Sequence, residues 1–154
     1  SGYSGAGATP NDRNDPGKLN NNIIPYSLNN HIHEREVSFH MQREINFMPH
    51  VADFFRGILI TGNVSLKSQC SSQETRNIFN DFYDEHSFID IKEEFPSISE
   101  VINTPNAMIG GFNIDESKKR LSFCCSIDNL LKGAASQAIQ NLNNAMNFDE
   151  KLGL

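Results

Sequence analysis

Two imidazoles and a carboxylate lie close together in the first quarter of the chain. His31, His33 and Glu36 fall within six consecutive positions. Imidazole titrates near neutral pH and is the side chain most often used for general acid–base catalysis. If a helix begins near His33, then His33 and Glu36 lie one turn apart on one face, with His31 just ahead of it. From these residues alone, the solvated start of a charged helix is the more common explanation.

The same residues allow a second interpretation, a divalent metal site. His33, Glu36 and His40 occupy positions i, i+3 and i+7, which share one face of a helix. The sequence offers no clear fourth ligand nearby, so we expect no bound metal.

Groups that bind anions are also present near the start of the chain. Ser1 and Ser4 carry hydroxyls, and the N–H groups of Gly2 and Gly5 could complete an anion-binding nest, although small-residue openings are commonly just flexible termini. Arg56 opens a segment of alternating polarity. An arginine fork binds carboxylates and phosphates with two parallel hydrogen bonds, but an ordinary ion pair at a strand end is an equally common use.

The last quarter of the chain predicts a helix whose opening, Gly133-Ala134-Ala135, has almost no bulk. Glycine costs about 0.8–1.0 kcal/mol relative to alanine within a helix, so a simple surface helix gains nothing from it. A helix end that a ligand or another backbone must approach closely does gain. Just before it, Asp128 could cap the helix, the amide of Asn129 can donate and accept, and Lys132 could add positive charge.

Hydrophobic periodicity and turn residues predict an α+β fold, a mixed and largely antiparallel sheet with helices packed on one side. The predicted elements are a loop over 8–22, a helix over 32–43, a strand over Gly57–Leu66, a helix from the Ser71–Glu74 capping box to about Glu85, a strand over Phe88–Ile91, a hairpin of Ala107–Ile114 with Lys119–Ile127, and the final helix. The predicted buried residues are Ile58, Ile60, Val64 and Leu66; Ile78, Phe79 and Phe82; Leu121, Phe123, Cys125 and Ile127; and Leu131, Ala135, Ala138, Leu142 and Met146.

Composition narrows the functional class. The chain has 154 residues, enough for one domain with its own core, and a net charge of −6 with scattered basic residues, which argues against nucleic acid as a partner. Its mean hydropathy is −0.46, and neither an apolar run of membrane-spanning length nor a signal peptide is visible, so we expect no membrane partner. Three cysteines, Cys70, Cys124 and Cys125, fit neither a disulfide framework nor a zinc pattern and indicate packed thiols in a reducing compartment.

Four separated motifs together resemble N-acetyl-gamma-glutamyl-phosphate reductase, in its eukaryotic, fungal-type branch. They appear in family order over the whole chain: Ser1–Gly7, His31–Glu36, Pro49-His50 with Arg56–Ile58, and Asp128–Ala134. In that family a dinucleotide-binding domain and its nucleophilic cysteine precede the first motif. The sequence has no Gly-x-Gly-x-x-Gly loop and no cysteine in the family context. We therefore expect residues 1–154 to be a single substrate-binding and dimerisation domain with a C-terminal helix, similar to the C-terminal domain of glyceraldehyde-phosphate dehydrogenase.

The resemblance implies reduction of N-acetylglutamyl 5-phosphate to N-acetylglutamate 5-semialdehyde with NADPH, in arginine biosynthesis. It makes His31 the catalytic imidazole and Glu36 its orienting or charge-balancing carboxylate. The implied substrate-binding residues are Ser1, Gly2, Ser4, Gly5, His33, Arg35, His50 and Arg56, and the implied cofactor-binding residues are Asn129, Lys132 and Gly133. Bacterial members have a basic residue where this chain has Ile32, so either Arg35 or Arg56 could bind the substrate carboxylate.

The resemblance also sets expectations for the whole protein. NADP(H) is bound mainly by the nucleotide-binding half, so this chain by itself is expected to be inactive. We expect a homo-oligomer, located in the mitochondrial matrix if the source is eukaryotic and in the cytoplasm otherwise. Two alternatives remain: a non-catalytic dimerisation or regulatory module of an arginine-pathway complex, and a related aspartate-semialdehyde or glyceraldehyde-phosphate dehydrogenase. A functional imidazole at His31 argues against the first, and the wording of the motifs argues against the second.

Overall fold

The computed structural model describes residues 1–117 and 119–154 and contains two compact units, Ser1–Arg56 and Gly57–Leu154. The assignment of residues 1–154 to one functional domain stays a prediction.

The first unit combines short helices with a two-stranded sheet. Its elements are a 3-10 turn over Tyr3–Ala6, α1 over Pro16–Leu19, β1 over Ile23–Pro25, α2 over Ile32–Met41 and β2 over His50–Ala52. Strands β1 and β2 are antiparallel and place Ile24 opposite Val51. Leu19, at the end of α1, and Val51, in the middle of β2, are both buried, and each is 2% exposed.

Two boundaries in this unit differ from expectation. The predicted loop over 8–22 contains α1, because Asp15 caps the helix by accepting from the N–H of Gly17 and Pro16 occupies a first-turn position. Helix α2 was predicted over 32–43 and ends at Met41, because Gln42 adopts a left-handed conformation with φ of 49°.

The second unit is built on a four-stranded sheet. It contains β3 over Ile58–Ser65, α3 over Ser72–Tyr83, β4 over Ile89–Ile91, α4 over Ile98–Val101, β5 over Ala107–Ile114, β6 over Arg120–Ile127 and α5 over Ser136–Ala145. The strand order is β3-β6-β5-β4, antiparallel except for the parallel pair β4 and β5. The α+β prediction with a mixed, largely antiparallel sheet is confirmed. Helix α4, with its own capping box from Ser97 to Glu100, was not predicted.

The core of this unit lies under α3, which packs on β4 and β5. Its buried centre is formed by Ile109, Phe112 and Leu121, with Phe79 and Phe123 packed against it. The inward orientation predicted for alternate residues of β6 is therefore confirmed from Leu121 to Cys125, which also packs on this cluster. The capping box that starts α3 is present as predicted, with Ser71 and Glu74 each bonded to the other's backbone N–H.

Two predicted buried faces are confirmed only in part: Leu66 and Phe79 pack against the core cluster, whereas other members of each face are exposed. In β3, Ile60 is 43% exposed and Val64 is 42% exposed, because β3 is an edge strand and α3 covers the opposite end of the sheet. In α3, Ile78 and Phe82 are 61% and 69% exposed. The face of α3 that meets the sheet instead repeats every four residues, with Thr75 buried and Phe79 in the core.

The last helix also faces the other way from the prediction. Its first turn, Leu131–Ala135, is a π-helix, in which the N–H of Gly133 bonds to the carbonyl of Asp128 five residues earlier. One extra residue in a turn rotates the following helix by about 100° relative to a continuous α-helix. As a result the inward face carries Ser136 and Asn143, and the predicted buried residues are exposed: Ala135, Ala138, Leu142 and Met146.

Among the described residues, no helix combines the length and the hydropathy that a membrane span requires.

Candidate active site around His31

His31 forms the N-cap of α2. Its ring nitrogen Nδ1 accepts a hydrogen bond from the backbone N–H of His33, at 3.2 Å. A side-chain acceptor at this position satisfies one of the N–H groups that a helix start leaves without an intrahelical partner. Because Nδ1 is the acceptor, the proton of the neutral ring lies on Nε2.

Aromatic rings surround this imidazole. The ring centroids of His33, Phe47 and Tyr26 lie 4.9, 5.3 and 5.9 Å from that of His31. The Arg13 guanidinium lies over the Tyr26 ring at 4.9 Å. Desolvation by these neighbours, followed by repulsion from His33 and Arg13, lowers the pKa of His31 from its ordinary value of 6.5. The ring is therefore neutral at pH 7.

A carboxylate that the sequence did not single out organises the start of α2. Glu34 Oε1 accepts from the N–H of Asn30 at 3.1 Å, and its Oε2 accepts from the N–H of Phe47 at 2.9 Å. Glu34 is half-buried, whereas Glu36 is exposed and makes no hydrogen bond within the described residues. The signal that could have found Glu34 is its place three residues after the N-cap, where a glutamate commonly reaches back to the backbone.

The predicted substrate-binding residues of the opening segment lie along residues 50–56. The N–H of Ser4 donates to the carbonyl of Phe55, at 2.8 Å, and the hydroxyl of Ser1 donates to the carbonyl of His50, at 3.2 Å. A side chain at Gly2 would come within 2.8 Å of the Arg56 backbone nitrogen, so this glycine is required by the packing of the unit itself.

The remaining predicted groups of this unit have other surroundings. Gly5 donates its N–H to the carbonyl of Gly2 in the 3-10 turn, so this N–H is already engaged. Ring nitrogen Nδ1 of His50 lies 3.0 Å from the Met48 carbonyl. Arg35 is exposed on α2, and Arg56 is half-buried. The N–H of Tyr26 donates to the carbonyl of Pro49, so the β1–β2 sheet connects the rings around His31 to the start of β2.

In the second unit, the predicted cofactor-binding residues surround the π-turn. Asn129 Oδ1 accepts from the N–H of Gly57 at 2.6 Å. Lys132 Nζ donates to Gln140 at 2.8 Å and lies 5.5 Å from the Phe88 ring, and burial lowers the pKa of this lysine. Gly133 is exposed, and an added Cβ would come no closer than 3.5 Å to any neighbour.

Asp128 is fully buried and has the capping role that the sequence offered as one possibility. Its Oδ1 accepts from the N–H of Leu130 at 2.9 Å and of Leu131 at 3.2 Å, and its Oδ2 accepts from the N–H of Asn103 at 2.8 Å. One carboxylate thus joins the start of the π-turn to the loop that follows α4.

The described residues do not support the metal interpretation. Within residues 1–117 and 119–154, no three or more histidine, cysteine, aspartate or glutamate side chains are grouped as a metal ion requires. The three cysteines are free thiols. Burial raises the pKa of Cys125, which disfavours its reactive thiolate.

Comparison with known proteins decides the family. A family model described as "Semialdehyde dehydrogenase, dimerisation domain" matches residues 1–129. The chain belongs to this family. It is 46% identical over all 154 residues to "Protein arg11, mitochondrial" of Schizosaccharomyces pombe, of which it covers 17%. It is 44% identical, again over its full length, to N-acetyl-gamma-glutamyl-phosphate reductase of Xanthomonas euvesicatoria pv. vesicatoria, of which it covers 49%.

A solved structure supports the fold of this semialdehyde dehydrogenase dimerisation domain. Aspartate semialdehyde dehydrogenase II from Vibrio cholerae matches 94% of this chain with a TM-score of 0.71 and 17% identity, over 46% of its own chain. The resemblance drawn from the four motifs is confirmed by the family and by the named relatives. The chain spans about half the length of its bacterial relative and less than a fifth of its fungal one.

Proposed function

We propose that this chain is the substrate-binding and dimerisation part of an NADPH-dependent reductase that converts N-acetylglutamyl 5-phosphate to its 5-semialdehyde in arginine biosynthesis. Identity of 44% to a bacterial protein of that name, over the whole chain, supports the assignment. The observation that carries it is the geometry around His31: its Nδ1 is held by the backbone N–H of His33, and the rings of Tyr26 and Phe47 pack against it. With its proton on Nε2, such a ring can donate a hydrogen bond to the oxygen on which charge develops during acyl transfer and reduction. It can pass the Nε2 proton on only as Nδ1 gives up the cap bond and takes a proton in its place.

The substrate carries a phosphate and a carboxylate, so its binding requires cationic and N–H groups. We assign this role to the opening segment with His33, His50, Arg35 and Arg56. The contact between Ser4 and Phe55, the residue before Arg56, supports a common location for the opening loop and that arginine. Glu36, exposed on α2, is the proposed charge-balancing carboxylate.

The cofactor belongs mainly to a nucleotide-binding half, in which NADPH supplies the hydride. One part of this chain's surface would allow a cofactor to approach the backbone closely, because Gly133, Ala134 and Ala135 are exposed and have little bulk. The packing of the chain itself does not require a glycine at position 133. Asn129 and Gly133 are the residues we assign to that contact. Lys132 would contribute positive charge from behind, since its amine is directed to Gln140. The 154-residue chain alone is expected to oxidise no NADPH.

We further propose that two copies of the chain pair through the sheet. Leu59 supports this surface, because it is 46% exposed on the face of edge strand β3 that lies away from the core, as does the description of the family as a dimerisation domain. The mitochondrial names of the fungal relatives support a mitochondrial location.

Replacement of His31 tests the proposed reaction. In the protein that carries this chain with its nucleotide-binding half, His31→Asn keeps an excellent N-cap residue but removes the imidazole. We expect kcat to fall by about 10²–10⁴-fold with an unchanged unfolding transition by circular dichroism. A variant with kcat within threefold of the parent would overturn the catalytic role and favour a non-catalytic dimerisation or regulatory module.

A further inference from the structure

The segment after α2 runs back along the helix and is fastened to it at two points. Glu34 and Ser38 lie one turn apart on α2, and both are half-buried. Glu34 accepts from the N–H of Phe47, and Ser38 Oγ accepts from the N–H of Ile45 at 3.0 Å. Alternate residues of the returning segment are thereby bonded to successive turns of one helix face.

This fastening determines where the Phe47 ring lies. With its N–H bonded to Glu34, the ring packs 5.3 Å from His31 and 6.4 Å from His33. The other oxygen of Glu34 holds Asn30, the residue that immediately precedes His31. One carboxylate therefore fixes both the backbone leading into His31 and an aromatic ring packed against it.

The cap bond then leaves one ring nitrogen for chemistry. Nδ1 of His31 accepts from the His33 N–H, so it can take a proton only if that bond breaks. Rotation of the ring by a half turn about the Cβ–Cγ bond would break the same bond, because it puts a carbon where Nδ1 lies. Nε2 is the nitrogen that remains free of this constraint.

We propose that Glu34 is the positioning residue for His31, holding the ring through Asn30 and Phe47 so that its Nε2–H is the group available to the substrate as a hydrogen-bond donor. The catalytic meaning of this role rests on the proposed function, whereas the geometry of the ring does not. Glu36, two residues away on the same helix, is exposed and provides a matched control carboxylate.

Nitrogen-15 NMR of the labelled 154-residue chain tests the positioning without any activity measurement. We expect His31 to show the Nε2–H tautomer and ring-current shifts from Phe47. Glu34→Gln offers one acceptor oxygen in place of two, so the ring-current shifts should shrink and the two tautomers should mix. Glu36→Gln should leave both signals unchanged. Equal signals in Glu34→Gln and the parent chain, or equal changes in both variants, would overturn the proposal.

Further variants keep the test decisive if one substitution disturbs folding. Ser38→Ala removes the second fastening point, which is farther from His31, and should change the His31 signals less than Glu34→Gln does. The charged groups that act on His31 are Arg13 before α1 and His33, Glu34 and Glu36 on α2. Titration of His31 in Glu36→Gln therefore separates the loss of a charge from the loss of positioning.

Activity of the longer protein separates the two proposals. Glu34→Gln should lower kcat about 10-fold to 100-fold with KM nearly unchanged, and should have no further effect when His31 is already Asn. If the NMR signals change as expected and kcat does not, Glu34 positions the ring but the catalytic role of His31 fails. If the NMR signals do not change, the positioning fails whatever the activity.

Discussion

Each of the two units is stabilised internally by a different kind of interaction. In the second unit, Ile109, Phe112 and Leu121 are buried between the sheet and α3. In the first unit, hydrogen bonds from backbone N–H groups to side chains hold the chain in place: Glu34 and Ser38 accept from the segment that follows α2. The unit that contains His31 thus depends on directional hydrogen bonds, whereas the second unit depends on the packing of apolar side chains.

Substitutions in the two units should therefore have different effects. Loss of buried apolar volume lowers the free energy of unfolding of the sheet by several kcal/mol. Loss of a polar fastening costs less, but it releases the group that the bond positions. Stability measurements should therefore distinguish the two units, and local spectroscopic signals should show what stability does not.

The largest effect is expected in the packed core. Phe112→Ala should lower the free energy of unfolding by about 3–5 kcal/mol, because the ring is 9% exposed and contacts Phe79 at 4.8 Å between centroids. Urea unfolding followed by circular dichroism measures it. Phe82→Ala, at a ring that is 69% exposed, is the control and should change stability by less than about 0.5 kcal/mol. Similar losses in both variants would refute the packing described here.

The next effect compares two glycines. Gly2→Ala places a methyl group 2.7 Å from the Phe55 carbonyl oxygen, so the opening segment must shift, at a cost of about 1–3 kcal/mol. Gly133→Ala meets nothing closer than 3.5 Å and should be neutral or stabilising by up to about 1 kcal/mol. Urea unfolding gives both values. In the longer protein, we expect Gly133→Ala to raise the KM for NADPH; an unchanged KM would remove the cofactor role proposed for this glycine.

A smaller effect is expected at α5, which is held by polar hydrogen bonds although it belongs to the second unit. Asn143 is 4% exposed and its amide donates to the carbonyls of Glu150 and Leu152. Asn143→Ala should cost about 0.5–1.5 kcal/mol per bond lost. Leu142→Ala, at the neighbouring exposed position, should cost less than about 0.5 kcal/mol in this chain. Thermal unfolding of both variants measures the contrast, and the reverse order would mean that α5 packs through its apolar stripe.

The smallest effect is a dependence on pH. The folded-state pKa of His31 lies below its ordinary value of 6.5, so the unfolded chain binds more protons between the two values. The contribution of His31 to stability is therefore complete above about pH 6.5 and is lost as the pH falls through 6.5 towards the folded-state pKa. Protection of the α2 amides against hydrogen exchange, compared between the parent chain and His31→Asn across this pH range, measures the contribution of His31 to stability. A parallel decline in both would assign it to other groups.

Much of the scaffold could be predicted because its signals are local. The capping box before α3 and the alternation in β6 depend on neighbours in sequence and were confirmed. The alternation in β3 predicted the strand, yet its exposure depends on which strand lies at the edge of the sheet. Sequence spacing contains no information about that.

The parts that failed depend on small departures from regular geometry or on polar geometry. A single π-turn over Leu131–Ala135 rotated the apolar stripe of α5 outward, and no residue spacing announces such a turn. The role of Glu36 stays a prediction, but the sequence analysis did not predict that Glu34 bonds to the N–H groups of Asn30 and Phe47. Hydrophobic periodicity predicts apolar faces. It does not predict that Glu34 accepts from a backbone N–H thirteen residues further along the chain.

The adjacent cysteines of β6 give the sheet a chemical reporter for each of its faces. Cys125 lies opposite Ile60 and Ile109 on the core side, and Cys124 lies opposite Thr61 and Gly110 on the other. An alkylating reagent applied to a Cys70→Ser background would therefore read the two surfaces separately. If a second copy covered the face away from the core, Cys124 would no longer be alkylated. The slower alkylation of Cys125 would be unchanged and would serve as the internal standard.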